Sequence, residues 1–428
     1  MKRILCIILV ICMMPLLISC GRSEGVFETQ ENEQPEMHIS TTLENPIENE
    51  EEYTEISEPP DEPFPGRIAI ITNALPVNEE FYSAEAIQRK YGEERVIHRV
   101  WPAMFAHEGE MMISIMQELA ADPELRAVVI NQAVINTNIA VDALLALRDD
   151  VFVVYISPAE DIPEVSLRAD LILNTNTPAL GNTFSQQAQL MGAQTIVHYS
   201  FPRHMNTPQH AERRDNMRDE AERQGIEFIE VAAPDPMGEG GVAVTQQFII
   251  QDIPYQVERF GTDTAFFGTN CGMLHPIITQ VLATGAIFVQ PCHPSPFHGY
   301  PAAFGLEAFV PSGDNDQDGN EILRLIDTRK LIETIRENAY TQGRTGRIAM
   351  IPKSPSMLWT AMGVEYAIKW INNEVDRYAI DLDVLSEIGR EIILQESGEE
   401  VEVTLEVLEV DGRVYPNFIL GLMGDIIL

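Results

Sequence analysis

The sequence predicts an α/β fold of two lobes, each a mainly parallel sheet flanked by helices, with a β-hairpin added at the C-terminus. Three patterns predict it. Short apolar runs recur without polar alternation, which marks strands buried on both faces. Helical stripes fall between those runs, and towards its end the chain changes to alternating apolar and polar residues.

Taken from the N-terminus, Lys2 and Arg3 precede an apolar run from Ile4 to Ile18 that closes on Leu17-Ile18-Ser19-Cys20. A charged start, an apolar stretch shorter than the ~17 residues a span needs and a small-residue cleavage site read as a lipoprotein signal peptide over residues 1–20. Cleavage would leave Cys20 as the lipid-bearing N-terminus, so the rest of the chain is expected at the cell membrane on its extracytoplasmic face. Residues 21–65 are dominated by Glu, Asn, Thr, Ser and Pro. Too few apolar side chains are present to offset ordering entropy, and the carboxylates repel one another, so this segment reads as an acidic, disordered tether. No later apolar run is long enough to span a membrane.

From residue 66 the apolar runs are "RIAIIT", "RVIHRVW", "LRAVVINQ", "VFVVYIS", "ADLILNTN", "TIVHYSF", "IEFIEVA", "TAFFGTN" and "IFVQPC". The first five define a first lobe at 66–178 and the next four a second lobe at 179–340. Between strands, Met112, Ile115, Met116, Leu119 and Ala120 recur at helical spacing on one face. Thr207-Pro208 reads as a helix cap and first helical position, with Gly225 as the stop. Repeated alternation of strand and helix specifies parallel pairing through right-handed crossovers.

The stretch "GRIAIIT" at 66–72 is echoed by "GRIAMIP" at 346–352. A duplicated domain would need roughly a hundred further residues, and only 82 follow Gly346. The second stretch is therefore expected to return to the first lobe's sheet, within a return-crossing and hairpin region at 341–428. There Val401, Val403, Leu405 and Val407 alternate with polar neighbours, and Asp411-Gly412 supplies a two-residue turn.

A lipobox, an acidic tether and two successive α/β lobes with a late return crossing together resemble the type I periplasmic binding proteins, the substrate-binding lipoproteins of transport systems. More narrowly, "HAERRDNMRDEAERQGIEFIEVAAPDP", "DTAFFGTNCGM" and "QPCHPSPFHGYPAAFG" resemble an uncharacterised bacterial lipoprotein family defined only as a domain of unknown function, over residues 66 to about 370. The resemblance implies the two-lobed fold. It brings no ligand with it, so the site has to come from the residues themselves.

In open α/β sheets ligands lie beyond the carboxyl ends of the strands. The residues following the strands are Thr72, Asn73, Asn131, Gln132, Ser157, Asn174 and Asn176 in the first lobe. In the second they are Ser200, Arg203, Asp235, Thr269, Asn270 and His293. As ligand-binding candidates they make a hydrogen-bonding set suited to a sugar, nucleoside or amino-acid derivative; the same residue types also build turns and caps. Arg203 is the one fixed cation in the set, able to hold a carboxylate or phosphate or to pair with a nearby Asp or Glu.

Cys271 and Cys292 are the cysteines left in the mature fold, and both follow strands of one βαβ unit. Neighbouring strand ends lie about 4.8 Å apart, within reach of a disulfide, which an exported protein favours. Alternatively Cys271, His275, Cys292 and His293 form a soft-ligand metal site with zinc as the default occupant, although their spacing matches no familiar zinc motif. Thiol catalysis with a histidine base is the third reading. A two-cysteine racemase arrangement is disfavoured, because both thiols come from one βαβ unit and not from two pseudo-symmetric halves.

"GDNDQDGNE" places Asp314, Asp316 and Asp318 at alternate positions before Gly319, a layout suited to wrapping calcium. The twelfth position of an EF-hand count is Leu325, so a closing carboxylate has to come from elsewhere, and a polar turn accounts for the same residues. No motif requires a cofactor, and calcium here would be structural. The net charge of −38 argues against nucleic acid and against an electrostatic grip on anionic lipid. The function expected is a membrane-tethered solute-binding protein that closes two lobes over a small polar ligand and passes it to a permease or sensor. An exported enzyme on the same fold, or a surface lipoprotein that binds a protein partner, are the alternatives.

Overall fold

The computed structural model describes residues 64–73, 79–315 and 321–428. The signal peptide, Cys20 and the tether to residue 63 lie outside the described residues. So do Asp316, Asp318 and the side chain of Asp314 from the calcium loop.

The first lobe is built on β1 (Arg67–Thr72), β2 (Val96–Val100), β3 (Leu125–Asn131), β4 (Phe152–Ile156) and β5 (Leu171–Thr175). All five are parallel, in the order β2-β1-β3-β4-β5. Successive side chains enter opposite apolar layers. Ile68, Ile70, Val129 and Val154 pack on one side, Ala69, Ile71, Val128 and Val153 on the other. Helices cover both faces, which is why the strands read as unbroken apolar runs.

The second lobe repeats the winding with β6 (Thr195–Ser200), β7 (Glu227–Ala232), β8 (Thr264–Gly268) and β9 (Ile287–Phe288), parallel in the order β7-β6-β8-β9. Its helix Pro208–Arg223 starts on a proline after Thr207, and Gly225 follows at φ +75°. An antiparallel pair, β10 (Phe309–Asn315) and β11 (Glu321–Leu325), flanks the acidic loop.

The remaining strands are β12 (Ala349–Met350), β13 (Val403–Val410), β14 (Arg413–Met423) and β15 (Ile426–Ile427). They correct the expectation that "RIAMIP" rejoins the first lobe's sheet. Ile348 bridges Phe288 of β9 in parallel, the carbonyl of Arg347 accepts from the Phe288 amide at 2.9 Å, and β12 pairs with β15. The first sheet has no place for it beside β5, because β14 occupies that edge in parallel register. Ile348, Ala349, Met350 and Ile426 bury in the second lobe's core instead.

The predicted hairpin is β13 and β14, turning on Asp411 (φ 50°) and Gly412 (φ 77°), both in the left-handed region that a tight two-residue turn demands. It belongs to the first lobe and completes a seven-stranded sheet. Helices Pro355–Ile371 and Leu382–Ser397 pack against that sheet as well. Residues 341–428 are thus divided between the lobes. The chain crosses three times: from β5 to helix Leu180–Leu190, from β12 to helix Pro355–Ile371, and from β14 to β15.

The second and third crossings are pinned to the first. Buried Trp359 presses on Gly421, where an added Cβ would lie 2.5 Å from the ring, and its indole N–H donates to Thr175 Oγ1 at 3.0 Å. These contacts fix the backbone at the carboxyl ends of the first sheet, where the cleft opens.

Candidate ligand-binding cleft

The carboxyl ends of the two sheets open onto a cleft of about 380 Å³, a size suited to a small solute. Strand ends supply Gln132, Ser157, Asn174 and Thr175 from the first lobe and Cys292 and His293 from the second. The opening turns of two helices supply much of the remaining polar chemistry. Helix Glu79–Tyr91 brings Glu79 and Glu80; helix Pro208–Arg223 brings Gln209, His210 and Arg213.

Of the ligand-binding candidates the sequence singled out, Gln132, Ser157, Asn174 and His293 line this cleft. The others lie off it, each for a local reason. Thr72 is buried with its hydroxyl 2.9 Å from His98 Nε2, and Asn73 follows it half-buried. Asn131 is a latch for the second crossing, donating to the Ser356 carbonyl at 2.9 Å and to Thr360 Oγ1 at 2.6 Å. Asn176 donates to Glu406 and accepts from the Ala179 amide at 3.1 Å, capping the turn into helix Leu180–Leu190. The Ser200 carbonyl accepts from the Ala233 amide, Thr269 is buried, and Asn270 accepts from the Gly272 amide at 2.9 Å. Arg203 and Asp235 satisfy each other through two hydrogen bonds of 2.8 and 2.7 Å. That pairing removes Arg203 as a free cation for a ligand.

Arg213 takes that place. It is 4% exposed, its Nη1 donates to the Cys292 carbonyl at 2.7 Å, and its guanidinium lies 5.0 Å from the Phe267 ring centroid. Among the described residues no carboxylate pairs with it. Burial lowers its affinity for its proton, an effect the nearby sulfurs of Cys292 and Cys271 oppose. The surrounding histidines yield to it. Burial, with Arg213 next in weight, pushes His198 down to about 3 and His210 down to about 4, so both are neutral near pH 7. A buried cation without a carboxylate partner among the described residues is only partly compensated by the nearby sulfurs and is costly to hold, so Arg213 is poised for an anion.

The opposite wall is acidic. Glu80 is 4% exposed; one oxygen accepts from Ser356 Oγ at 3.5 Å, and the other, Oε1, is buried with no partner among the described residues. Burial raises its pKa, against the pull of its own backbone amide. Glu79 ties the lobes together, accepting from Ser295 Oγ at 2.6 Å with His298 Nε2 at 3.3 Å.

Reading only the residues directly after each strand missed Arg213, which lies a turn into its helix. The signal was present all the same. In "PQHAERRDNMRDEAER", Arg213, Met217 and Ala221 fall at i, i+4 and i+8, and with Glu220 these are the buried residues of the helix. An arginine on an apolar stripe is a cation held out of water.

The sulfur cluster lies at the ends of β8 and β9. Cys271 Sγ is 3.6 Å from Cys292 Sγ and 3.4 Å from His293 Nδ1, and Cys292 Sγ is 3.5 Å from the same nitrogen. Both thiols are free in this structure, and His275 is not part of the group. A hydrogen bond from the buried Cys292 thiol holds Cys271 below the ordinary thiol range, with His293 assisting, while that same bond and burial push Cys292 up.

Two α/β lobes of matching strand order, joined by three crossings around a polar cleft at their strand ends, define a type I periplasmic-binding-protein-like fold. Residues 67–348 match the family described as "Protein of unknown function (DUF3798)", and the chain belongs to that family. An uncharacterized protein of Treponema pallidum (strain Nichols) is 30% identical over 174 residues, covering 41% of this chain and 81% of the relative. A crystal structure of a proposed transcriptional regulator from Clostridium difficile 630 superposes with a TM-score of 0.73 at 20% identity, covering 85% of this chain and 99% of that one. At that identity the likeness concerns the fold alone. A sugar ABC transporter structure from Actinomyces odontolyticus ATCC 17982 overlaps more loosely, with a TM-score of 0.45 at 11% identity over 72% of this chain and 84% of that one.

Proposed function

We propose that this protein is an extracytoplasmic solute-binding protein, lipid-anchored through Cys20, whose lobes hold a small polar molecule bearing a carboxylate or phosphate for delivery to a permease or sensor. The observation that carries this reading is Arg213, a cation 4% exposed that faces the cleft with no acidic partner among the described residues. An anion placed there gains charge-assisted hydrogen bonds and relieves the unpaired charge. Across the cleft, Glu80 Oε1, without a partner among the described residues, suits an ammonium or hydroxyl donor on the same molecule. Gln132, Ser157 and Asn174 supply hydrogen bonds between those ends. Of the solute classes compatible with the sequence, this charge layout favours an amino-acid derivative over a neutral sugar or nucleoside, which would leave Arg213 unpaired. No helix among the described residues is long and apolar enough to cross a membrane, so the anchor in this reading is the lipid.

A thermal-shift screen against amino acids, hydroxy acids, sugar phosphates, sugars and nucleosides tests it. Anionic solutes should raise the melting temperature saturably, a ligand at a hundred times its Kd adding about 2.7 kcal/mol. A shift confined to neutral sugars or nucleosides would sink the Arg213 reading.

A further inference from the structure

Cys271, Cys292 and His293 form a second chemical feature that solute capture does not use. Cys292 and His293 follow β9, Cys271 follows β8, and these are neighbouring parallel strands. The three donor atoms make a triangle with sides of 3.6, 3.4 and 3.5 Å. A tetrahedral zinc ion, with Zn–S near 2.3 Å and Zn–N near 2.05 Å, separates two sulfur ligands by about 3.8 Å and a sulfur from a nitrogen by about 3.6 Å. The triangle therefore matches one face of a zinc tetrahedron to within a few tenths of an ångström.

The groups behind the donors hold them in place. Asn270 Oδ1 accepts from the Gly272 amide at 2.9 Å, fixing the turn that presents Cys271. Arg213 donates to the Cys292 carbonyl at 2.7 Å, and His298 Nδ1 donates to the His293 carbonyl at 3.2 Å. Backbone contacts of this kind orient ligands at metal centres. The charges also suit a divalent ion: two thiolates neutralise it, and Arg213 remains free to attract an anion.

We propose that Cys271, Cys292 and His293 bind a soft divalent cation of the zinc type at the edge of the cleft, with the fourth coordination position left for water or a cleft-bound group. Thiolate and imidazole ligands select zinc over calcium or magnesium. Three protein ligands, instead of four, are the pattern of sites that keep an exchangeable position. The site does not rest on the solute reading and is tested without any solute.

The test is a titration of the full chain with Co²⁺ under a phosphine reductant, followed by its visible absorption. One equivalent should bind, with the d–d bands of tetrahedral cobalt and a thiolate-to-cobalt charge-transfer band, and Zn²⁺ should displace it. Cys271→Ser should weaken binding at least about 100-fold and reduce the charge-transfer band, His293→Ala at least about 10-fold, and His275→Ala should leave binding unchanged. Cys271 is exposed, so its variant remains informative even where substitution of the buried Cys292 disturbs folding. A reduced chain that takes up no cobalt overturns the proposal, as does a Cys271→Ser variant that binds it as tightly. Cysteines that remain bridged under the reductant, with no metal uptake, would assign the pair to a disulfide.

Discussion

Arg213→Met should abolish solute binding while leaving the ligand-free protein at least as stable as the parent. Truncating one partner of a buried charge pair weakens binding by about 2–5 kcal/mol, roughly 30- to 4,000-fold in Kd. The sign of the stability effect separates a ligand contact from a structural one. Without solute the guanidinium is a desolvated cation with a single hydrogen bond among the described residues, to the Cys292 carbonyl. Replacing such a charge by an apolar side chain of similar volume is neutral or stabilising, set against about 1 kcal/mol for the lost hydrogen bond. Denaturant melts with and without solute read both quantities. A variant that binds normally removes Arg213 from the ligand contacts, and one that unfolds makes it a structural residue.

Gly181→Ala should cost about 3 kcal/mol and damage the cleft as well. The added Cβ would come 2.1 Å from the Arg213 carbonyl oxygen and 2.8 Å from the Met217 amide nitrogen. Both are helix backbone, so no side-chain rotation relieves the clash. Helices Leu180–Leu190 and Pro208–Arg223 are clasped at this point, with Ser185 Oγ donating to the Met217 carbonyl at 2.7 Å and Asn216 to the Pro178 carbonyl at 3.0 Å. Pushing them apart displaces Gln209, His210 and Arg213 together. A lower unfolding free energy accompanied by weaker solute binding is the expected pair of results. An unchanged denaturation midpoint would mean that the close approach is not obligatory.

The two predictions depend on one helix, and it shows where the sequence was legible and where it was not. Its start at Pro208 and its stop before Gly225 follow from capping chemistry that acts within a few residues. The central strands β1, β3, β4, β6 and β8 were readable for a similar reason: a strand buried on both faces is apolar at nearly every position, whichever neighbours it pairs with. Strand pairing is a different kind of fact. The second "RIA" stretch looks like the first because both are buried strands, yet nothing local states that β14 already fills the edge of the first sheet beside β5. The placement of Ile348 beside Phe288 in the second lobe is a consequence of that occupancy.

The cleft followed the same division. Gln132, Ser157, Asn174 and His293 were found because the carboxyl end of a strand is a local position in the chain. Arg203 takes the acidic partner that was one of its two readings, but that the partner is Asp235, 32 residues away and itself a ligand candidate, is decided only in the fold. Arg213 was hidden in one of the most charged stretches of the chain, where the helical stripe it shares with Met217 and Ala221 is the sole hint of burial. Cys271, Cys292 and His293 were grouped correctly by the βαβ unit, since adjacent parallel strands bring their ends together. His275 was included through proximity in sequence and lies outside the cluster.

The central claim is that an anionic solute is held between the lobes by Arg213. The most direct measurement is a crystal structure of the protein with the solute that gives the largest thermal shift. The account predicts a carboxylate or phosphate oxygen about 2.7–2.9 Å from the Arg213 guanidinium, with the molecule enclosed between Glu80 and His210. A solute bound elsewhere, or one lying in the cleft with its anionic group turned away from Arg213, would contradict it.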